Sequence, residues 1–255
     1  MKEDKQHKKS YLQRIANILL LNGCFLDNPG LYSGEMGLVL FFFRYARFTN
    51  NTLYKEYGFR LIEKNQNSIH HETPISYKQG LAGIGSTIEY LVQHGYIDAD
   101  TDEILEDFDD RIFSVQNLFR LSMEEIKSKG YYANWRMSGN SAKKEMIRQT
   151  ILPEIEKIMH EKSMIYAWHK SLYTNNSLYL KTATYKHWWE YLSAKPNLSV
   201  SPLEGKHTMG NFVLSEHTGS PLHLGIHNGL TGLGLALLTE LDGDASWISL
   251  FPDET

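Results

Sequence analysis

Gly225-Ile226-His227-Asn228-Gly229-Leu230-Thr231-Gly232-Leu233-Gly234-Leu235 is the third appearance of one pattern in a 255-residue chain. The first is Gly30-Leu31-Tyr32-Ser33-Gly34-Glu35-Met36-Gly37-Leu38, and the second is Tyr77-Lys78-Gln79-Gly80-Leu81-Ala82-Gly83-Ile84-Gly85. Each holds Gly-x-x-Gly followed by Leu or Ile, and each opens a stretch of apolar, helix-like sequence. Internal repetition of this kind marks a fold built from units that cannot bury both their faces alone. When Gly34, Gly80 and Gly229 are aligned, the second interval is slightly more than three times the first. That leaves room for two degenerate units, near residues 130 and 180. Each unit is expected to pair an inner with an outer helix. The glycines permit tight turns and close backbone approach where the inner helix starts.

The sequence outside the motifs supplies the outer helices. Residues 9–23 predict an amphipathic first helix, with Leu12, Ile15, Ile18, Leu19 and Asn22 on one face. Leu21-Asn22-Gly23-Cys24 loosely imitates a lipoprotein cleavage site, but the apolar segment is short and Asn17 interrupts it, so a helix is the better reading. Met36–Phe43 is apolar on every side, which predicts a helix buried all round. Leu53, Tyr57, Leu61 and Ile62 stripe a one-faced helix packed outside it. Ile84, Ile88, Leu91 and Val92 stripe the next inner helix. Asp100 and Glu103 read as a capping box. It opens one long helix with Ile104, Phe108, Ile112, Val115, Phe119 and Ile126 on one face. Glu103, Glu106, Asp107, Asp109 and Asp110 are expected on its solvated face. The pattern blurs over residues 131–140. Helical spacing returns from Met146 to Met159, with a start or kink at Pro153. Residues 166–192 are aromatic-rich and read as one or two helices, and 195–224 reads as loop. The last motif opens a final apolar helix ending near Leu241-Asp242-Gly243.

Composition narrows the class. Apolar residues are 42% and charged residues 22%, enough for one well-filled domain over residues 1–255. The net charge of -4 predicts no nucleic-acid partner, and no apolar run is long enough to predict a membrane one. A single cysteine, Cys24, excludes an intrachain disulfide framework and a multi-cysteine metal site. It is expected to be buried, and the setting to be cytoplasmic.

The three motifs, together with Asp98-x-Asp100-x-Asp102-Glu103-Ile104-Leu105 and Leu241-Asp242…Trp247, resemble bacterial members of the lanthionine synthetase C-like family. The resemblance covers residues 10–120 and 220–250 and is weak over 130–220. It implies an all-α fold: an α/α-toroid whose glycine motifs line the inner helices. The family's ring has seven helical hairpins, and fewer are recognisable here, so an incomplete toroid is expected. The resemblance also implies peptide modification, in which a precursor's cysteine thiol adds to a dehydrated residue. Family cyclases use zinc for this, held by two cysteines and a histidine in Trp-Cys-x-Gly and Cys-His-Gly motifs. Zinc suits the task because coordination deprotonates a thiol near neutral pH. In this chain Arg136 follows Trp135, His227 falls on the cysteine position and Asn228 on the histidine position. Cys24 fits neither place. No zinc and no other cofactor is therefore expected. The expected role is binding a precursor peptide or a peptide-modifying enzyme. If the chain is active, the resemblance implies thioether-forming chemistry.

The residues themselves offer weak catalytic candidates: His227, Asn228, Glu35 and Glu89. His227 with His223 and His217 has the donors for a histidine metal site, although loop histidines are more often surface residues. His70-His71-Glu72 lacks the His-x-x-x-His spacing of a metalloprotease and reads as surface loop. Glu35 and Glu89 follow glycine motifs, and two carboxylates facing one cavity would suit glycoside hydrolysis. Glu35 also suits a helix N-terminus with no catalytic role, and Glu89 an ion pair. Trp188, Trp189 and Tyr185 offer surfaces for stacking on a sugar or peptide, with core packing as the simpler reading. A carbohydrate-active toroid and a non-catalytic remnant are the alternative functions.

Overall fold

A computed structural model describes residues 2–114, 121–161, 223–227 and 229–252, and every regular element among them is helical. In chain order these are α1 (Lys2–Asn22), α2 (Glu35–Thr49), α3 (Thr52–Ser68), α4 (Leu81–Gln93), α5 (Thr101–Ile104), α6 (Glu106–Phe113), α7 (Met123–Ser138), α8 (Lys144–Met146), α9 (Leu152–Glu161) and α10 (Leu230–Asp242). Short 3-10 turns follow α1 and α10, at Gly23–Phe25 and Ser246–Leu250.

The three glycine motifs become three helices of one kind. In α2 every residue from Glu35 to Ala46 is buried, in α4 every residue from Leu81 to Leu91, and in α10 every residue from Leu230 to Leu238. A helix without a wet face has to be surrounded. α3 lies along α2, α6 and α7 lie along α4, and α1 lies along α10. α2 also touches both α4 and α10, which sets the order α10–α2–α4. On α3 the inward stripe starts a turn later than the sequence predicts: Leu61 is buried, but Leu53 is 66% exposed.

Each of these helices begins in the same way. Gly34, Gly80 and Gly229 cap them with extended backbone, at φ of -126°, -137° and -130°. The first amides donate backward into their own loops: Glu35 N to Asn28 O (2.8 Å), Leu81 N to Pro74 O (2.9 Å) and Leu230 N to His223 O (3.0 Å). Amides that a helix start leaves without partners are thereby satisfied inside the repeat. The loop must fold tightly over the first turn to do this. A Cβ on Gly37, Gly83 or Gly232 would fall within 3.0 Å of the carbonyl oxygen of Leu31, Tyr77 or Ile226. The loops also join one another at equivalent residues, with His227 N donating to Tyr32 O (3.1 Å) and Tyr32 N to Lys78 O (3.0 Å).

The region after α4 differs from the sequence expectation. The single long helix from Ile104 to Ile126 does not form. Leu105, at φ -109° and ψ 12°, breaks α5 from α6, and α7 starts afresh at a capping box. In that box Ser122 Oγ accepts from Glu125 N, and the Glu125 carboxylate accepts from Ser122 N (2.8 Å). Asp100 does cap α5, accepting from Asp102 N (2.8 Å). The blurred stretch around Trp135 is the interior of α7, which lies against α4 and α9 at the place predicted for a degenerate unit near residue 130. A π-turn, Ile147–Ile151, precedes Pro153. Proline has no N–H for the carbonyl four residues back and its ring crowds it, so the helix widens there. The unit predicted near residue 180, the helices over 166–192 and the loop over 195–222 lie outside the described residues.

One large apolar core surrounds α2, α4 and α10, and a smaller one joins α7 to α9 through Ile126, Ile147, Ile151, Ile155 and Ile158. Past α10, Gly243 turns the chain at φ 80°, a left-handed conformation suited to glycine. The following segment, with Trp247, Ile248, Leu250 and Phe251 all buried, runs back across the inner helices. Trp247 Nε1 donates to Thr239 Oγ1 on α10 (2.8 Å), Ser246 shares a hydrogen bond with the Tyr90 hydroxyl on α4 (2.8 Å), and Arg44 Nη2 on α2 donates to Asp244 O (2.6 Å). The Phe251 ring reaches Tyr32, 5.2 Å away, in the loop ahead of α2. No helix among the described residues is long and apolar enough to cross a membrane.

Candidate functional site

Glu35 and Glu89 do not face a shared cavity as an acid–base pair would. Each is turned into its own ion pair. Glu35, the first residue of α2, is buried against α3, where Lys64 Nζ meets its carboxylate and Asn65 Nδ2 donates to Oε2 (3.4 Å). Burial pushes the Glu35 carboxyl above its usual range, and Lys64 and Asn65 pull it back only in part. Lys64 also donates to Cys24 O (2.9 Å) and Leu26 O (2.6 Å), so one ammonium ties α3 to the turn after α1. Cys24 is exposed in that turn, not buried as the sequence suggested. The turn leaves the core as soon as Gly23 has packed against Leu38 and Tyr57.

Glu89 belongs to the most elaborate polar cluster in the described residues, which is organised by Arg136. That guanidinium, on α7, is fully buried. Its Nη1 donates to Glu89 Oε2 (2.8 Å) and Thr101 Oγ1 (3.1 Å), its Nε to Asp109 Oδ1 (3.1 Å), and its Nη2 to Asp109 Oδ2 (2.9 Å) and to Asp102. Tyr132 donates to Asp109 Oδ1 (2.6 Å), and Lys143 Nζ lies 3.2 Å from Asp109 Oδ2. Burial works against the Arg136 charge, but Asp109 and Glu89 outweigh it and raise its pKa. Burial likewise pushes Asp102 up, yet the Ala142 amide, the Ser141 hydroxyl and Arg136 hold its carboxyl below the usual range. Burial and the adjacent Asp109 charge raise Tyr132 well above the ordinary phenol value. Three carboxylates thus meet two cations, and every group is committed to another. The cluster pins α4, α5, α6 and α7 together and offers no spare acid or base. It also corrects the reading of Asp109 as part of a solvated acidic face, since Asp109 is buried at the cluster's centre.

Arg136 occupies the position where the resemblance implies a zinc-ligand cysteine. At the other such position His227 is exposed, and its backbone is hydrogen-bonded to Tyr32. Asn228 and His217 lie outside the described residues, as do Tyr185, Trp188 and Trp189. His223 is exposed, and His70, His71 and Glu72 form an exposed loop. No group of three or more His, Cys, Asp or Glu side chains among the described residues is arranged to hold a metal. The motif glycines serve packing. Gly30 and Gly225 let neighbouring motif loops touch, at Gln79 and Ser33, while Gly85 and Gly234 admit the rings of Tyr132 and Phe41.

Two features escaped the sequence reading. The Arg136 cluster draws its members from four helices, and its one local signal is a Tyr-x-x-x-Arg spacing inside an aromatic run. Lys129, about two turns before Arg136 on α7, is 1% exposed beside the smaller apolar core. Burial lowers its pKa to about 8, opposed only by the charge of Glu154. Compared with models of protein families, with curated proteins and with solved structures, the chain matches none.

Proposed function

We propose that the chain is a lanthionine synthetase C-like protein of the cytoplasm. In this reading it binds a precursor peptide, or an enzyme that modifies one, in a ring or partial ring of helical hairpins without the family's zinc site. One observation carries the reading. Three all-buried helices share one glycine-capped start, stand side by side as α10–α2–α4, and are joined at equivalent loop residues. α10 is coated by α1, which lies far from it in the sequence, as a ring of hairpins would also arrange. Both features support an α/α-toroid.

The test pairs binding with metal analysis. Fluorescently labelled cysteine-containing peptides, with and without dehydroalanine, are titrated into the purified protein, and zinc is measured in the same sample. Saturable binding without stoichiometric zinc is the expected result. Stoichiometric zinc that disappears in His227→Ala, together with thioether formation, would replace this reading with an altered-metal cyclase. Absence of binding to either peptide form would remove the peptide reading. A second reading, a non-catalytic remnant, is favoured by the apolar side chains that the segment after α10 lays across the inner helices. The separate ion pairs of Glu35 and Glu89 give the carbohydrate-active alternative no support.

A further inference from the structure

We infer that the segment 244–252 is an internal ligand, and that the groove it fills along α2, α4 and α10 accepts an apolar, aromatic peptide. The inference deepens the peptide-binding reading and rests on it. It begins with how the segment is held. Trp247, Ile248, Leu250 and Phe251 are buried, whereas Ser246, Ser249 and Pro252 keep partial exposure along one edge. Apolar side chains enter the groove while a polar edge faces out, as a docked peptide would present itself.

The anchoring has the same character. Contacts come from each inner helix in turn: Thr239 on α10 to the Trp247 indole, Tyr90 on α4 to Ser246, and Arg44 on α2 to Asp244. They run from the C-terminal parts of these helices to Tyr32 in the loop at the other end of α2, whose ring meets Phe251 at a tilt. The segment therefore spans the groove lengthwise. It follows α10 through a single glycine turn, Gly243 at φ 80°, where a Cβ would meet nothing within 4 Å. Arg44 keeps Nε and Nη1 buried without a hydrogen-bond partner among the described residues, so the groove wall holds more donors than the segment uses.

A tethered ligand competes at an effective concentration in the millimolar range. A peptide in solution therefore binds the wild-type protein weakly and gains affinity where the segment is released. The experiment uses the full chain and a synthetic, fluorescent peptide of residues 244–252. Wild-type protein is expected to show little binding. Trp247→Ala with Phe251→Ala, which removes the two aromatic anchors, is expected to bind the peptide at least about a hundredfold more tightly. If the variant keeps its helical signal and cooperative melt yet binds no better than wild type, the inference is overturned. In case the variant does not fold, hydrogen exchange on the wild type decides the matter. Amides of 246–251 should exchange by local opening well before those of α2 and α4. Exchange of all of them only on global unfolding would show the segment to be ordinary core. Failure here, with dehydrated peptides still binding, would leave the broader functional reading standing. The reverse outcome, binding of this peptide alone, would remove the broader reading.

Discussion

Arg136 carries more of the fold's electrostatics than any other residue described. Replacing it with Met leaves Glu89 buried without its cation and Asp109 with Lys143 alone. Breaking a buried pair in this way costs roughly 3–5 kcal/mol. Urea denaturation of Arg136→Met should show a loss of that order at pH 7. A loss within about 1 kcal/mol would mean that the cluster is not what holds α4 to α7. Lys129 gives the opposite kind of signal. Below pH 8 its proton is bound whether the chain is folded or not, and the cost of burying the charge stands in full. Between about 8 and the ordinary lysine value near ~10.4, the folded chain is neutral there while the unfolded chain stays charged, so stability rises with pH. A gain of about 2 kcal/mol between pH 7.5 and 9.5 is expected for wild type, and none for Lys129→Met. Above pH 10 the trend should reverse. Tyr45 and Tyr57, pushed up to about 12 by burial, then resist an ionisation that the unfolded chain undergoes freely.

Among the helices, the tightest constraint lies where a motif loop closes over its own first turn. Gly83→Ala places a methyl group against the Tyr77 carbonyl, a backbone atom that cannot step aside. The expected cost is about 3 kcal/mol, at the upper end for an overpacked site. Gly95→Ala, at φ 67° with open space around it, should cost only about 1 kcal/mol. Equal losses in thermal melts would show that the carbonyl is not the obstacle. These motif positions were legible from sequence because repetition exposes backbone demands that no side chain can meet otherwise. The all-buried character of α2 was legible too, from Met36–Phe43. The break after α6 was not. The apolar period runs unbroken through Ile112 and Val115, and it masked the Ser122–Glu125 capping box that starts α7. The Arg136 cluster could not be read at all. Thr101, Asp102 and Asp109 look like ordinary surface polar residues until the fold brings them around one guanidinium. Glu89 could be read as one half of an ion pair, but sequence could not say that its partner is Arg136.

At the scale of the whole molecule, α1 and α10 form one structural unit despite standing at opposite ends of the sequence. Leu12 and Ile15 are fully buried in the same core as Leu235 and Leu238, Ile15 lies near Gly234, and Lys8 Nζ reaches Glu240 Oε2 at 3.0 Å. Ile15→Asp should therefore loosen both helices together. Hydrogen exchange is expected to rise in α1 and α10 alike, with α3 less affected. Faster exchange confined to α1 would show that the N-terminal helix is an appendage.

The same contact orders events during synthesis. α1 leaves the ribosome long before its docking site, so its apolar face stays open to water and to neighbouring chains until the glycine motif at residue 229 and the helix behind it have emerged. A pairing this distant in sequence slows folding and lengthens the interval in which the nascent chain can associate wrongly. Soluble yield is expected to rise with chaperones, and that dependence should ease in a circular permutant that places α1 directly after residue 252.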